Sequence, residues 1–189
     1  MGKNNITETL IKEEFIRIYA EKPLEKIKVN HFVSACNIAR GTFYFYFKDV
    51  YDLYKVCESE MIRYLENGLE ELSMSTIRGN YKKHAKLYTK YLDRYLQNKE
   101  AIKIFMMGSE ASSFKDALYC SVVKWYSQIM EFSGDINEKK KEMLVHFYAS
   151  GWVLMIYKWF QGDCEMSTEV IGDVVAMIQY RGVFLKEEN

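Results

Sequence analysis

The stretch that decides the fold reads His31-Phe-Val-Ser-Ala-Cys-Asn-Ile-Ala-Arg-Gly-Thr-Phe-Tyr-Phe-Tyr-Phe-Lys-Asp-Val-Tyr-Asp-Leu53. Phe32 belongs to an apolar run with helical spacing, and Asn37 follows where the chain must turn, because Asn tolerates the left-handed conformation better than any residue except Gly. Beyond the turn, Phe43 and Phe47 lie four residues apart, so a second helix would bury both on one face. The pattern predicts a helix-turn-helix.

The other faces of the second helix are the ones that would face DNA. Arg40 would contact a guanine, Thr42 a base edge or methyl group, and Phe45 a thymine methyl group. Gly41 would allow the backbone to approach the bases closely. The alternative interpretation is an ordinary solvated helix surface. The candidate phosphate contacts are Lys28, Asn30, Tyr44, Tyr46 and Lys48, of which Tyr46 is the one most easily explained by packing.

Residues 41–47 read Gly-Thr-Phe-Tyr-Phe-Tyr-Phe and resemble the recognition helix of TetR-type transcriptional regulators (TetR/AcrR family), which commonly reads Gly-Thr-Phe-Tyr-x-x-Phe. The similarity extends upstream to Ile11, Phe15 and Ile18 of a first helix and to residues 27–29. This resemblance implies a transcriptional regulator, in most cases a repressor whose operator affinity falls when a small molecule binds the C-terminal region.

Three positions depart from the family pattern. Lys28 and Ala39 stand where the family usually has a Thr or Ser before a helix, and each lost cap is expected to cost about 1 kcal/mol. Val50 stands where the family usually has a phosphate-binding Lys. We expect Lys48 to take over that phosphate contact.

The charge composition gives no independent sign of nucleic acid binding. The 189-residue chain has 26 basic and 26 acidic residues, and residues 1–55 have nine basic against seven acidic side chains. A protein that bound DNA by nonspecific phosphate attraction would usually be strongly basic. The prediction of DNA binding therefore depends on the motif, and binding should depend on specific positioning.

The composition favours a nearly all-helical fold, because the chain has one proline and only ten glycines. We expect an all-α protein with a three-helix DNA-binding domain of the helix-turn-helix type over residues 1–49. A helical ligand-binding and dimerisation domain is expected over residues 50–189. Outside the helix-turn-helix, the helices are predicted at 6–21, 50–72, 80–96, 99–107, 110–132, 138–160 and 167–185.

No set of side chains has the spacing of an active site or a metal centre. We therefore expect no enzymatic activity, no cofactor and no metal. No secretory segment precedes the first helix, so a cytoplasmic location with reduced thiols is expected. The most apolar run, residues 143–157, contains a histidine and indicates a buried helix, not a membrane span. The side chains considered as possible catalytic or metal-binding groups are the histidines and cysteines, namely His31, His84, His146, Cys36, Cys57, Cys120 and Cys164.

The C-terminal region is rich in large apolar and aromatic side chains. Some of them could line a pocket for an apolar small molecule, as TetR-type regulators often have. Packing alone requires the same helical spacing, so most of these residues are expected to be plain core. The pocket candidates are Tyr81, Tyr88, Phe105, Met106, Trp125, Tyr126, Met130 and Trp152.

The last two predicted helices have more apolar surface than one small chain can cover. Residues 143–160 are apolar on nearly every face, and the last helix adds a second broad apolar stripe. In TetR-type regulators the final two helices form a four-helix bundle with a second subunit, so we expect a homodimer. The interface candidates are Phe147, Gly151, Met155, Ile171, Val174, Val175 and Ile178.

These observations predict a regulator that binds a palindromic double-stranded DNA operator as a homodimer and responds to an apolar small molecule. The main alternative is a protein-interaction adaptor that kept the helix-turn-helix fold but acts through its C-terminal domain. Membrane association is not expected in either case.

Overall fold

The computed structural model describes residues 2–72, 81–129 and 137–182, and the side chains of 6–72, 81–129 and 137–179. These ranges hold α-helices and one short 3-10 turn, Leu24–Lys26, but no strand. The all-α prediction is confirmed. The helices are α1 Gly2–Glu21, α2 Val29–Ala35, α3 Arg40–Tyr46, α4 Val50–Glu70, α5 Tyr81–Gln97, α6 Lys99–Met107, α7 Ala111–Ile129, α8 Glu138–Gln161 and α9 Thr168–Gly182.

Some predicted helix ends cannot be compared with this structure. The start of the predicted helix 80–96, the end of 110–132 and the end of 167–185 lie partly outside the described residues. The helix 99–107 was predicted with the bounds that the structure shows. Within the described residues, no helix is long and apolar enough to cross a membrane.

The chain divides into two compact units. Unit 1 comprises Met1–Ile62 and Glu100–Phe114, and unit 2 comprises Arg63–Lys99 and Lys115–Asn189. Helix α4 therefore begins in unit 1 and ends in unit 2, and α6 falls almost wholly in unit 1. The predicted domain boundary between residues 49 and 50 stays a prediction.

The core of the helix-turn-helix consists of stacked aromatic rings. Phe32 of α2 lies between Phe15 of α1 and Phe43 of α3, with ring centroids 6.5 and 5.3 Å away, respectively. Tyr54 of α4 meets the edge of Phe15 at 6.4 Å. All four side chains are almost fully buried, so helices α1, α2, α3 and α4 share one apolar centre.

Residues 100–114 complete unit 1 by packing against α1 and α4. The Phe105 ring lies 6.2 Å from Tyr19 and 5.8 Å from Tyr54, measured between centroids. The Tyr19 hydroxyl accepts a hydrogen bond from the backbone N–H of Glu110 at 3.0 Å. A Cβ at Gly108 would lie only 2.7 Å from that hydroxyl oxygen. The turn between α6 and α7 therefore approaches α1 as closely as a glycine allows.

Unit 2 is organised around α5, whose buried face carries a row of aromatic residues. Tyr91 stacks on Trp152 of α8 with ring centroids 5.6 Å apart, and Tyr88 lies 5.8 Å from the same indole. Helix α9 packs on another side of α5, where a Cβ at Gly172 would lie 2.7 Å from the Thr89 Oγ1 atom. The glycine therefore allows these two helices to touch along their backbones.

Candidate nucleic-acid interface

The turn of the helix-turn-helix has the geometry that its sequence predicts. Asn37 adopts a left-handed conformation with φ of 49°. The backbone N–H of Ile38 donates to the Val33 carbonyl at 3.2 Å, which is the bond that closes a Schellman motif at a helix C-terminus. Helix α3 then begins at Arg40. The turn thereby fixes the direction of the predicted recognition helix.

Helix α3 divides cleanly into a buried and an exposed face. Phe43 and Phe47 are 0 % and 2 % exposed, as their spacing predicted, whereas Phe45 is 71 % exposed. Within the part of the chain that the structure describes, no atom would lie within 4 Å of a Cβ at Gly41. All nine DNA-contact candidates are exposed or half-buried, so the fold leaves each of them on the surface.

Arg40 is held by its neighbour one turn along α3. Its Nη2 donates a hydrogen bond to the Tyr44 hydroxyl at 3.3 Å, and its guanidinium carbon lies 5.7 Å from the Tyr44 ring centroid. A cation over an aromatic face gains electrostatic stabilisation and loses rotamer freedom. Tyr44 therefore orients the side chain that we predicted to contact a guanine, a role that the sequence pattern did not indicate.

The missing cap at Lys28 is partly replaced by a histidine. The Lys28 side chain makes no capping hydrogen bond, but its backbone N–H donates to the His31 Nδ1 atom at 3.1 Å. The His31 N–H donates in turn to the Lys28 carbonyl at 2.9 Å. This reciprocal pair resembles a capping box with His in place of Glu or Gln, which explains why α2 forms without a Ser or Thr. Ala39 has no such replacement.

The start of α4 is capped by two aspartates. The Asp49 Oδ1 atom accepts from the Asp52 N–H at 2.8 Å, and the Asp52 Oδ2 atom accepts from the Lys48 N–H at 2.8 Å. Val50 is buried in unit 1. An apolar core position cannot supply the phosphate contact of the family pattern, whereas the Lys48 side chain, two residues earlier, is exposed.

The pocket candidates separate into two groups that the sequence did not distinguish. Phe105 and Met106 belong to the core of unit 1, because α6 packs with that unit. The other described candidates lie in unit 2. One of them is Tyr81, whose hydroxyl donates a hydrogen bond to the Asp173 carboxylate at 2.6 Å. Met130 lies outside the described residues. The remaining candidates, Tyr88, Trp125, Tyr126 and Trp152, are all buried.

A polar network joins some of these aromatic residues inside unit 2. The Tyr88 hydroxyl donates to the Gln179 Oε1 atom at 2.6 Å, and the Gln179 Nε2 atom donates to the Tyr126 hydroxyl at 2.6 Å. Burial raises the pKa of both tyrosines above its usual value. The network is therefore uncharged over the whole physiological pH range.

His84, for which the sequence indicated no catalytic or metal-binding role, is fully buried. Its ring lies 4.9 Å from that of Tyr88, and neither ring nitrogen has a hydrogen-bond partner among the described residues. Burial lowers the pKa of His84 to about 4, so the imidazole is neutral at physiological pH. The Trp152 Nε1 atom is likewise buried without a hydrogen-bond partner among the described residues.

The interface candidates differ in exposure. Phe147 is 71 % exposed, Val174 and Ile178 are partly exposed, and Gly151 lies on the surface. Ile171 and Val175 are buried within the single chain.

A cleft of about 350 Å³, which the sequence did not predict, opens beside Ile171. It is lined by Met155, Lys158, Trp159, Gly162, Glu165, Met166 and Ile171.

The comparisons agree with this architecture. The family model of transcriptional regulator C-terminal regions, TetR_C_8, matches residues 82–179. A search of curated proteins finds no match. Among solved structures, a Syntrophomonas wolfei protein described as a TetR-family transcriptional regulator is 17 % identical with a TM-score of 0.69, over 99 % of this chain and 100 % of that one.

Two further structures with known regulatory roles are similar in fold. NalD of Pseudomonas aeruginosa, the secondary repressor of the MexAB-OprM multidrug efflux pump, is 13 % identical with a TM-score of 0.63, over 96 % of this chain and 98 % of that one. FadR of Bacillus subtilis, solved with stearoyl-CoA, is 14 % identical with a TM-score of 0.59, over 93 % and 98 %. At these identities the structures support the fold alone. Because the family model covers more than half of the chain, the protein belongs to the TetR family of transcriptional regulators.

Proposed function

We propose that this chain is a ligand-responsive repressor that binds a palindromic operator as a homodimer. The observation that carries the proposal is the exposed face of α3, which presents Arg40, Thr42 and Phe45 while Phe43 and Phe47 fix the helix to the core. A rigid helix with polar and apolar groups at its start is suited to reading base edges in the major groove.

Base contacts and phosphate contacts are expected from different parts of the surface. Arg40, held by Tyr44, would reach a guanine, and the exposed Phe45 ring would contact a thymine methyl group. Lys28 and Lys48 stand just before α2 and just before α4, so they would fix the position of α3 through phosphates. Base preference should therefore come from α3 and affinity mainly from the flanking lysines.

A homodimer explains the palindromic site. Regulators of this family bind DNA as dimers, and a two-fold dimer presents two recognition helices to half-sites separated by about one helical repeat of DNA or a multiple of it. The exposed apolar residues of α8 and α9 supply surface for such a partner. They include Met143, Phe147, Leu154, Val170, Val174 and Ile178.

The interior of unit 2 supports a small-molecule effector. Tyr88, Tyr126 and Gln179 form an uncharged network, and His84 beside them has two unpaired ring nitrogens among the described residues. Buried polar atoms without partners are rare in native proteins, and a bound molecule would satisfy them. The effector would then be largely apolar with a neutral hydrogen-bonding group.

The effector would act by preferring a conformation in which the two recognition helices are misplaced for DNA. Helix α4 is continuous between the two units, so a change in unit 2 has a covalent route to unit 1. A difference in free energy of about 1 to 3 kcal/mol between the two conformations would change operator affinity roughly 5- to 150-fold. By reciprocity, operator DNA would weaken effector binding by the same factor.

The proposal is tested by selecting duplexes from a random pool and comparing variants on the selected sites. Arg40→Ala should relax the preference at particular base pairs, whereas Lys48→Ala should weaken all sites alike. Arg63→Ala, an exposed arginine in the unit 2 part of α4, is the matched control and should leave binding unchanged. Equal binding of selected and random duplexes would refute the proposal and favour the adaptor.

A further inference from the structure

Gly151 of α8 lies on the surface of its own chain. Among the described residues, no atom would lie within 4 Å of a Cβ at this position. Gly68 and Gly172, two other helical glycines of unit 2, behave differently, because a Cβ at either position would lie within 2.6 to 2.7 Å of a neighbouring side chain. Glycine inside a helix is less favourable than alanine. The reason for a glycine at position 151 should therefore lie outside the single chain.

Large exposed apolar side chains flank this bare position on the same face of α8. Phe147, one turn before it, is 71 % exposed, and Leu154, nearly one turn after it, is 57 % exposed. The neighbouring Ser150 is exposed and small. Two helices can cross closely where side chains are small, with larger side chains packing on either side of the crossing point.

The cleft beside Ile171 lies on the C-terminal side of Gly151. Met155, Trp159, Met166 and Ile171 give it apolar walls, with Lys158 and Glu165 as its charged members. Its volume of about 350 Å³ is large enough for an aromatic side chain. Every residue of α8 that lines the cleft follows Gly151 in the chain, beginning with Met155 one turn later.

We infer that two copies of α8 cross antiparallel at Gly151 and that Phe147 of each chain enters the cleft of the other. A two-fold axis at Gly151 makes residues equally far before and after it meet, so Phe147 faces Met155 of the second copy at the mouth of the cleft. The inference rests on the proposed homodimer and adds its register. The glycine permits the close crossing, and the cleft receives the exposed aromatic ring.

The exposed apolar area suits a second copy of this chain. Eight apolar residues of α8, α9 and their connection are 39 to 71 % exposed. At roughly 100 Å² each they offer on the order of 800 Å² per chain, which is what a standard interface takes from each partner. These residues are Met143, Phe147, Leu154, Met166, Val170, Val174, Met177 and Ile178.

The register is tested by disulfide cross-linking of the full-length protein. Cys120, which is exposed, and Cys164, which is half-buried, are first replaced by serine. Phe147→Cys and Met155→Cys are then introduced together and separately, followed by mild oxidation. Positions 147 and 155 lie roughly 12 Å apart along one helix, so they cannot bond within a chain. The double variant should give a covalent dimer on a non-reducing gel. Each single variant should run as a monomer on the same gel.

Each other outcome contradicts the inference in a recognisable way. Cross-linking of the Phe147→Cys variant alone would place residue 147, and not Gly151, at the two-fold axis or indicate parallel helices. An uncross-linked double variant that is still a dimer by light scattering would refute the register but leave the homodimer intact. A monomer before any substitution would refute the homodimer itself, and with it the register.

A second variant tests the crossing point without cysteine chemistry. Gly151→Leu should raise the dimer dissociation constant at least tenfold, because the new side chain would separate the two helices. The single chain has room for it, so helical content by circular dichroism should not change. Glu142→Leu, on the opposite side of α8, is the matched control and should dimerise normally. An unchanged dissociation constant for Gly151→Leu would overturn the inference.

Discussion

Replacing His84 with phenylalanine should remove an acid-sensitive part of the protein's stability. His84 is fully buried against Tyr88, and neither ring nitrogen has a partner among the described residues. Burial disfavours the charged imidazolium and lowers the pKa of His84 from 6.5 to about 4. Phenylalanine keeps a ring of similar size at this position and cannot be protonated.

The sign of the pH effect follows from proton linkage. Below pH 6.5 the unfolded chain binds a proton at His84 that the folded chain refuses until about pH 4. The free energy of unfolding therefore falls as the pH drops through this window. A pKa difference of about 2.5 corresponds to a loss of about 3 kcal/mol by pH 4. At pH 7, His84→Phe should also be more stable than the wild type by about 1 to 3 kcal/mol, because it removes unpaired polar atoms.

The assay is urea unfolding of wild type and His84→Phe at several pH values between 7.5 and 4.5. This range avoids most of the loss from Glu14 and Glu71, whose pKa values are lowered by Arg17 and Lys90 and which destabilise the fold only at lower pH. His146→Gln is the control, since His146 lies near the surface beside Tyr119. If His84→Phe loses stability with falling pH as steeply as the wild type, then His84 is not the buried neutral group that the structure indicates.

Three further predictions concern unit 1. If Lys28 and Lys48 of both chains supply the phosphate contacts, the plot of log affinity for DNA against log salt should have a slope no steeper than about −4, and Lys28→Ala should make it shallower by about 2. Filter binding between 50 and 200 mM salt measures the slope, and a much steeper slope would mean that other cations contact phosphates. Gly108→Ala should lower the free energy of unfolding in urea by about 1 to 3 kcal/mol, because the new Cβ would lie 2.7 Å from the Tyr19 hydroxyl. Gly41→Ala is the control and should not destabilise the protein. Equal effects of the two substitutions would contradict the close packing at Gly108. His31→Ala should cost about 1 kcal/mol by the same assay, because the Lys28 N–H loses its acceptor, and an unchanged stability would show that this cap is unimportant.

The helix-turn-helix could be predicted from the sequence because its determinants are local. The four-residue spacing of Phe43 and Phe47 defines a helix face, and Asn37 marks a backbone conformation that few residues tolerate. Asp49 and Asp52 similarly mark a helix start within four residues. Each of these signals depends on neighbours along the chain and needs no knowledge of the tertiary fold.

The rest could not be predicted because it depends on which surfaces meet. Phe105 and Tyr88 are both buried aromatic residues with helical spacing, yet they belong to different units. Gly151 and Gly172 give the same signal in sequence, but one faces open space and the other touches Thr89. Periodicity identifies a buried face without identifying the partner that buries it.

Helix α3 is proposed to read a specific DNA sequence as part of a two-fold dimer. The most direct measurement compares the affinity of the protein for a selected palindromic duplex and for a scrambled duplex of the same composition at 150 mM salt, with the stoichiometry determined in parallel. We expect two chains per duplex and a preference of at least about 10³-fold for the palindrome. Equal affinity for both duplexes, or one chain bound per palindrome, would contradict sequence-specific binding by a two-fold dimer.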